Sequence, residues 1–191
     1  MKLRVFLAAV GLIVVAVAGA CGGGDDDGDD GNGTPGPSAP VDLSEDEQAY
    51  YEALAVVNAD ANEEIAAAAQ IRVDALAPES DEERESKLEE FAAANVAAME
   101  NRATAISELT PPETLQSSHD QLIAAANDAV GLAGEMAAAI EADPPATEAE
   151  YAALAHDQDA ATVTSRFRDA CTVLQLKAGG AAADVDLGCT T

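Results

Sequence analysis

Basic residues and aromatics are scarce in this chain of 191 residues. It has no tryptophan, three tyrosines, three phenylalanines, and nine lysines and arginines against 36 aspartates and glutamates, for a formal charge of −27. A surface this acidic repels phosphate backbones and anionic headgroups, so nucleic acid is not an expected partner. Without an aromatic cleft to desolvate one carboxylate of a pair, Glu63-Glu64, Glu82-Glu83 and Glu89-Glu90 read as solvated faces rather than acid catalysts. No segment has the strict alternation or β-branched density of a strand, which excludes a sheet. The one long apolar run, Val5 to Ala20, is shorter than the ~18 to 20 residues of a spanning helix.

That run follows Lys2 and Arg4 and closes on small residues before Cys21, the charged, apolar, small-residue order of a secretory signal. Ala18-Gly19-Ala20-Cys21 resembles the lipobox of bacterial lipoproteins, with alanine where leucine is usual. The resemblance implies that residues 1–20 are a signal peptide and that Cys21 is acylated as the first residue of the mature chain. It also implies a lipid anchor in the cell membrane, facing the extracytoplasmic side. Each buried methylene contributes about 0.8 kcal/mol, so several acyl chains make such an anchor stable. Residues 21–40 hold this cysteine and a Gly/Asp/Pro-rich tether with no apolar side chain larger than alanine, which predicts a disordered acidic linker. Its aspartates do not form a calcium loop: counting from Asp25, the glycine and glutamate positions of an EF-hand fall on Asp30 and Gly36.

The third domain, residues 41–191, repeats one signal. Ser44 to Glu47, Ser80 to Glu83, Thr110 to Glu113 and Thr147 to Glu150 all read [Ser/Thr]-x-x-Glu, a helix-capping box, and each precedes an alanine-rich run. Pro111 fits the first helical position of the third. With breaks at Pro78, Pro111-Pro112, Pro144-Pro145 and Gly179-Gly180, the helices are expected at about 45–77, 81–109, 111–142 and 148–178. Apolar residues recur at helical spacing, as in Tyr50, Leu54, Val57, Ala61, Ile65 and Ala68, giving each helix one buried face. The expected fold is therefore all-α, an antiparallel up-down-up-down four-helix bundle. Its predicted anchors are Leu54, Ile65, Phe91, Leu122, Ile140, Phe167 and Leu174. Gly131 and Gly134, inside the third helix, are expected to mark close packing, the alternative being a kink that opens a cavity. Arg166, Arg168 and Lys177 are placed to pair with Glu45, Asp46 and Glu52 on the first helix.

An acylated Cys21 leaves Cys171 and Cys189 as an even pair, so a disulfide is expected to fold the tail back onto the last helix. The segments LTPPETLQSSHDQL and VDLGC resemble helical-bundle envelope lipoproteins of uncharacterised function, a resemblance that implies architecture more than activity.

Candidate chemistry is sparse. His119 and His156 fall in register with the buried stripes, but Gln116 and Ala153 stand where a di-iron bundle carries glutamates. Ser117, Ser118, His119 and Asp120 are consecutive helical residues and cannot align as a triad. Met136 and His156 are expected nearly level across the third turn, where a methionine and a histidine can hold haem or copper. The leading expectation is a membrane-anchored, non-enzymatic interaction or structural module without a cofactor, with a protein partner in the envelope. The alternative is a small-ligand, metal or haem-binding bundle using the interior around His156 and Met136, or the acidic faces.

Overall fold

The structure, a computed structural model, describes residues 43–78, 80–179 and 185–189, all within the unit Ala39–Thr191. The signal peptide, Cys21 and the tether lie outside the described residues. Among those described there are five α-helices and no strand: α1 Glu45–Ala75, α2 Asp81–Glu108, α3 Gln116–Ala142, α4 Glu148–Asp157 and α5 Ala160–Lys177, with a 3-10 turn, Glu113–Leu115, leading into α3.

Three of the four capping signals act as helix starts. Ser44 and Glu47 form the full reciprocal box on α1, while Ser80 and Thr147 accept the backbone N–H of Glu83 and Glu150. Thr110 does not cap. Pro112 restricts the residue before it to extended conformations, so Pro111 cannot open a helix and the chain turns only at Glu113. In that turn the Thr114 hydroxyl donates to the Glu47 carboxylate at 2.7 Å, tying the start of α1 to the α2–α3 connection. Backbone donation from Ser44 and then this hydroxyl hold the Glu47 carboxyl below its usual range.

The expected single last helix is broken. Asp159 adopts a left-handed conformation (φ 56°) and its carboxylate accepts from the Thr162 hydroxyl at 2.8 Å, starting α5 anew. The sequence around it, His156-Asp157-Gln158-Asp159, offers no apolar residue to hold a continuous face on the core. The stripe through Ala153 and His156 is accordingly exposed on α4, and regular burial resumes only at Phe167, Cys171 and Leu174 on α5.

Close backbone approaches join α1 to α2, α2 to α3, and α3 to α5. One core cluster gathers Tyr50, Tyr51 and Leu54 of α1, Ile106 of α2, Leu122 of α3, and Phe167 and Leu174 of α5. A second, at the other end of α1, is built on Leu88, Phe91 and Ile140 with Ala68 and Ala75. Six of the seven predicted anchors are buried; Ile65 is half-buried. The segment Glu113–Ala142 is long and apolar enough to cross a membrane by length and composition. Here it packs along α2 and α5 and contributes Leu122, Ala126 and Ile140 to the two cores.

Arg166 pairs with Asp128 of α3 at 3.3 Å rather than with the acids expected on α1, because α5 lies along α3. Between α1 and α5 runs the C-terminal tail, residues 185–189, which carries Leu187 fully buried into the first cluster.

Candidate functional site

The tail's position follows from its own backbone chemistry. An extended segment laid inside a helical protein brings N–H and C=O groups that must find partners. Asn58 and Asn62, one turn apart on α1, donate through their side-chain amides to the carbonyls of Leu187 (2.9 Å) and Gly188 (3.3 Å). From the other side, the Gln175 amide of α5 donates to the Val185 carbonyl (2.9 Å) and accepts from the Leu187 N–H (2.8 Å). Gly188 has φ +63°, and an added Cβ there would meet Asn62 Nδ2 at 3.4 Å, so glycine fits this turn on two grounds. The Cys171–Cys189 disulfide closes the arrangement, as expected from cysteine parity.

Beside this seam lies a buried cation. Arg102 of α2 is 6 % exposed; one guanidinium nitrogen donates to Asn62 Oδ1, and the group stacks 4.5 Å from the centre of the Phe167 ring. Its Nε has no partner, and no ion pair involves it among the described residues. Burial holds its pKa down to about 10, which leaves it a cation at neutral pH, balanced by an amide dipole and the face of a ring.

The second buried polar group is His119, whose Nδ1 stands 2.9 Å from the Tyr50 hydroxyl. With the proton on Nε2, the neutral ring accepts that hydroxyl's hydrogen. Burial lowers the pKa of His119, opposed by the neighbouring Asp120 charge, so the neutral ring is the form the fold favours. The same loss of solvent raises Tyr50, and it pushes Tyr51 up to about 12 with help from Glu47. Neither tyrosine is therefore an anionic nucleophile at neutral pH. The Tyr51 hydroxyl is buried without a hydrogen-bond partner among the described residues.

The expected pairing of His156 with Met136 does not form. The His156 side chain is 89 % exposed, 3.6 Å from Asp157, while Met136 is buried. The break at Asp159 is the reason, since α4 turns this face outward. Among the described residues no group of three or more His, Cys, Asp or Glu could hold a metal ion.

Gly131 and Gly134 do not mark close packing either: among the described residues, a Cβ added at each would meet nothing within 4 Å. Gly134 instead lines an open groove of about 820 Å³ between α2 and α3, floored by Ala92, Val96 and Ile140, with Ala93, Ala97 and Ala138 along its sides. Every charged side chain lining it is acidic: Glu89 and Glu100 from α2 and Glu141 from α3.

The cysteines place the tail against the last helix, but sequence reasoning missed its polar seam with α1, for which two signals exist. Asn58 and Arg102 stand in register with the buried stripes of their helices, four residues after Leu54 and four before Ile106. Val185, Leu187 and Cys189 alternate with Asp186 and Gly188, the period-two pattern of an extended segment with one face inside.

Together these features define an all-helical domain latched by its own disulfide-bonded tail. Comparison with protein-family models, with curated proteins and with solved structures finds no match to this chain.

Proposed function

We propose that the protein is a lipoprotein held by lipid on Cys21 at the extracytoplasmic face of a cell membrane, its helical domain serving as a non-enzymatic interaction or structural module. In that reading α4 and α5 form one broken limb, and four limbs alternate in direction as an up-down-up-down bundle. The observation that carries the proposal is the Cys171–Cys189 disulfide. Such bonds form and persist in oxidising compartments, which supports an extracytoplasmic domain. The pairing also leaves Cys21 as the one remaining cysteine of three, on the seam between an apolar run and an acidic spacer. A tether of nineteen residues behaving as a flexible coil would stand the domain off the surface by roughly 25 Å.

The test is location and mass. Replacing Cys21→Ser is expected to move the full chain from the membrane fraction into the soluble extracytoplasmic fraction, and intact mass of the wild-type chain is expected to show acyl chains on a polypeptide beginning at Cys21. Retention of the serine variant on membranes, or an unmodified sulfur at Cys21, refutes the anchor.

A further inference from the structure

We infer that the open groove between α2 and α3 is the docking face for a cationic amphipathic helix of a protein partner. This names the partner class of the interaction module proposed above and rests on that reading for the existence of a partner.

Three observations converge on it. The first is shape. Ala93 and Ala97 on α2, and Gly134 and Ala138 on α3, are each four residues apart, so both walls present rows of small residues along the groove. Rows at that spacing accept the ridge of a third helix, and the short side chains of Ala93, Ala97, Gly134 and Ala138 between the glutamates allow its axis to come in at the close end of helix-packing distances. The span from Glu89 to Glu100 is eleven residues, about 16 Å at 1.5 Å per residue, which seats a helix of about three turns.

The second is a glycine with no internal reason. Glycine inside a helix is destabilising relative to alanine, and among the described residues no atom comes within 4 Å of the place a Gly134 side chain would begin to fill. A helix backbone lying in the groove gives that gap a use, since a methyl group would hold it away.

The third is charge. Glu89 on α2 and Glu141 on α3 flank the end of the groove where α2 meets Ile140, and Glu100 lies toward the other end. Among the described residues no basic side chain lines it. A second copy of a chain with a net charge of −27 would bring acid against acid, and an anionic membrane surface would do the same, whereas lysines or arginines flanking an apolar stripe would complement both ends.

The probe is a fluorescein-labelled synthetic helix of about 14 residues, with an alanine and leucine face flanked by lysines, titrated by anisotropy against the purified full chain at low salt. A matched peptide carrying glutamate in place of lysine is the control. The lysine peptide is expected to bind and to release as salt is raised, and the glutamate peptide not to bind. Gly134→Leu should weaken binding by about tenfold or more, since it fills the groove. Gly134→Ala should weaken binding in the same direction while keeping or raising the melting temperature, which holds the test if the leucine variant does not fold. The inference is overturned if the lysine peptide does not bind. It is overturned equally if Gly134→Leu folds and binds as wild type, which would locate the attraction on the general acidic surface, or if the glutamate peptide binds equally well. Self-association of the chain abolished by Gly134→Leu would also overturn it, by making a second copy the occupant. Cys21→Ser should leave peptide binding unchanged, so failure of the anchor and failure of the docking face are read by different variants.

Discussion

Removing the tail's two attachments, singly and together, measures how this domain is held. The disulfide joins residues 18 apart, and the loop-closure entropy it takes from the unfolded chain is worth about 3 kcal/mol for a loop of that length. Leu187 is fully buried among Tyr51, Leu54 and Leu174, and truncating such a residue to alanine costs about 2–5 kcal/mol. The two costs should not add. With the disulfide intact, the tail is confined near its slot and the loss of Leu187 falls on the whole folded state. In the Cys171→Ala/Cys189→Ala background an undocked tail becomes a second native-like state whose free energy does not depend on Leu187, so the loss is capped at the free energy of docking. Guanidinium unfolding followed by far-ultraviolet circular dichroism on all four chains gives the coupling directly. The expected outcome is a cost for Leu187→Ala that is smaller without the disulfide than with it. Equal costs in the two backgrounds would refute the latch, because they would mean that the tail cannot leave without the helices unfolding. A disulfide removal without effect on stability would refute it as well.

Two further expectations concern the helices. Gly131→Ala should stabilise the domain by about 1 kcal/mol, since the added methyl meets nothing within 4 Å and helix propensity decides the outcome; a lowered urea midpoint would contradict that open surroundings surround the residue. For His119, whose pKa is lowered on folding, the unfolded chain takes up the proton first as pH falls below its ordinary value of 6.5. Stability is therefore complete above that value and declines on acidification, by at most about 1.4 kcal/mol per pH unit, until the folded-state pKa is reached. His119→Gln keeps an acceptor for Tyr50 and should flatten this part of the stability–pH curve, and an unchanged slope would show that His119 is not its source.

Helix starts were legible because capping is local chemistry. Ser44, Ser80 and Thr147 sit three residues before a glutamate and cap as that spacing predicts. Thr110 has the same spacing and fails, because the Pro111-Pro112 pair imposes a stronger local constraint. The break at Asp159 is harder to see. A left-handed aspartate carries no mark in the sequence beyond the polar run around it, and the periodicity through Ala153, His156 and Ala160 continues across the residue at which the helix breaks. Alanine makes the error easy, since it satisfies any helical stripe and says little about which face is covered. That is how His156 came to be paired with a methionine from which the fold separates it.

The same abundance of alanine explains why this fold recruits its own tail. Many of the buried residues are alanines: Ala61, Ala68 and Ala75 on α1, Ala92 and Ala98 on α2, and Ala125, Ala126 and Ala133 on α3. These residues suit helices in direct contact but contribute little apolar area, and they cannot reach across a wider gap. Between α1 and α5 the gap is filled by backbone, with Leu187 supplying the apolar contact. Filling space with backbone requires partners for its polar groups, which Asn58, Asn62 and Gln175 provide. Those partners fix the tail in one register, because a shift by one residue would face Asp186 inward and turn Leu187 to water. The disulfide then offsets the thin core by limiting how far the unfolded chain can spread. The polar seam, the buried leucine and the covalent link are thus three parts of one solution to a single deficit, too little large apolar side chain to close the helices on their own.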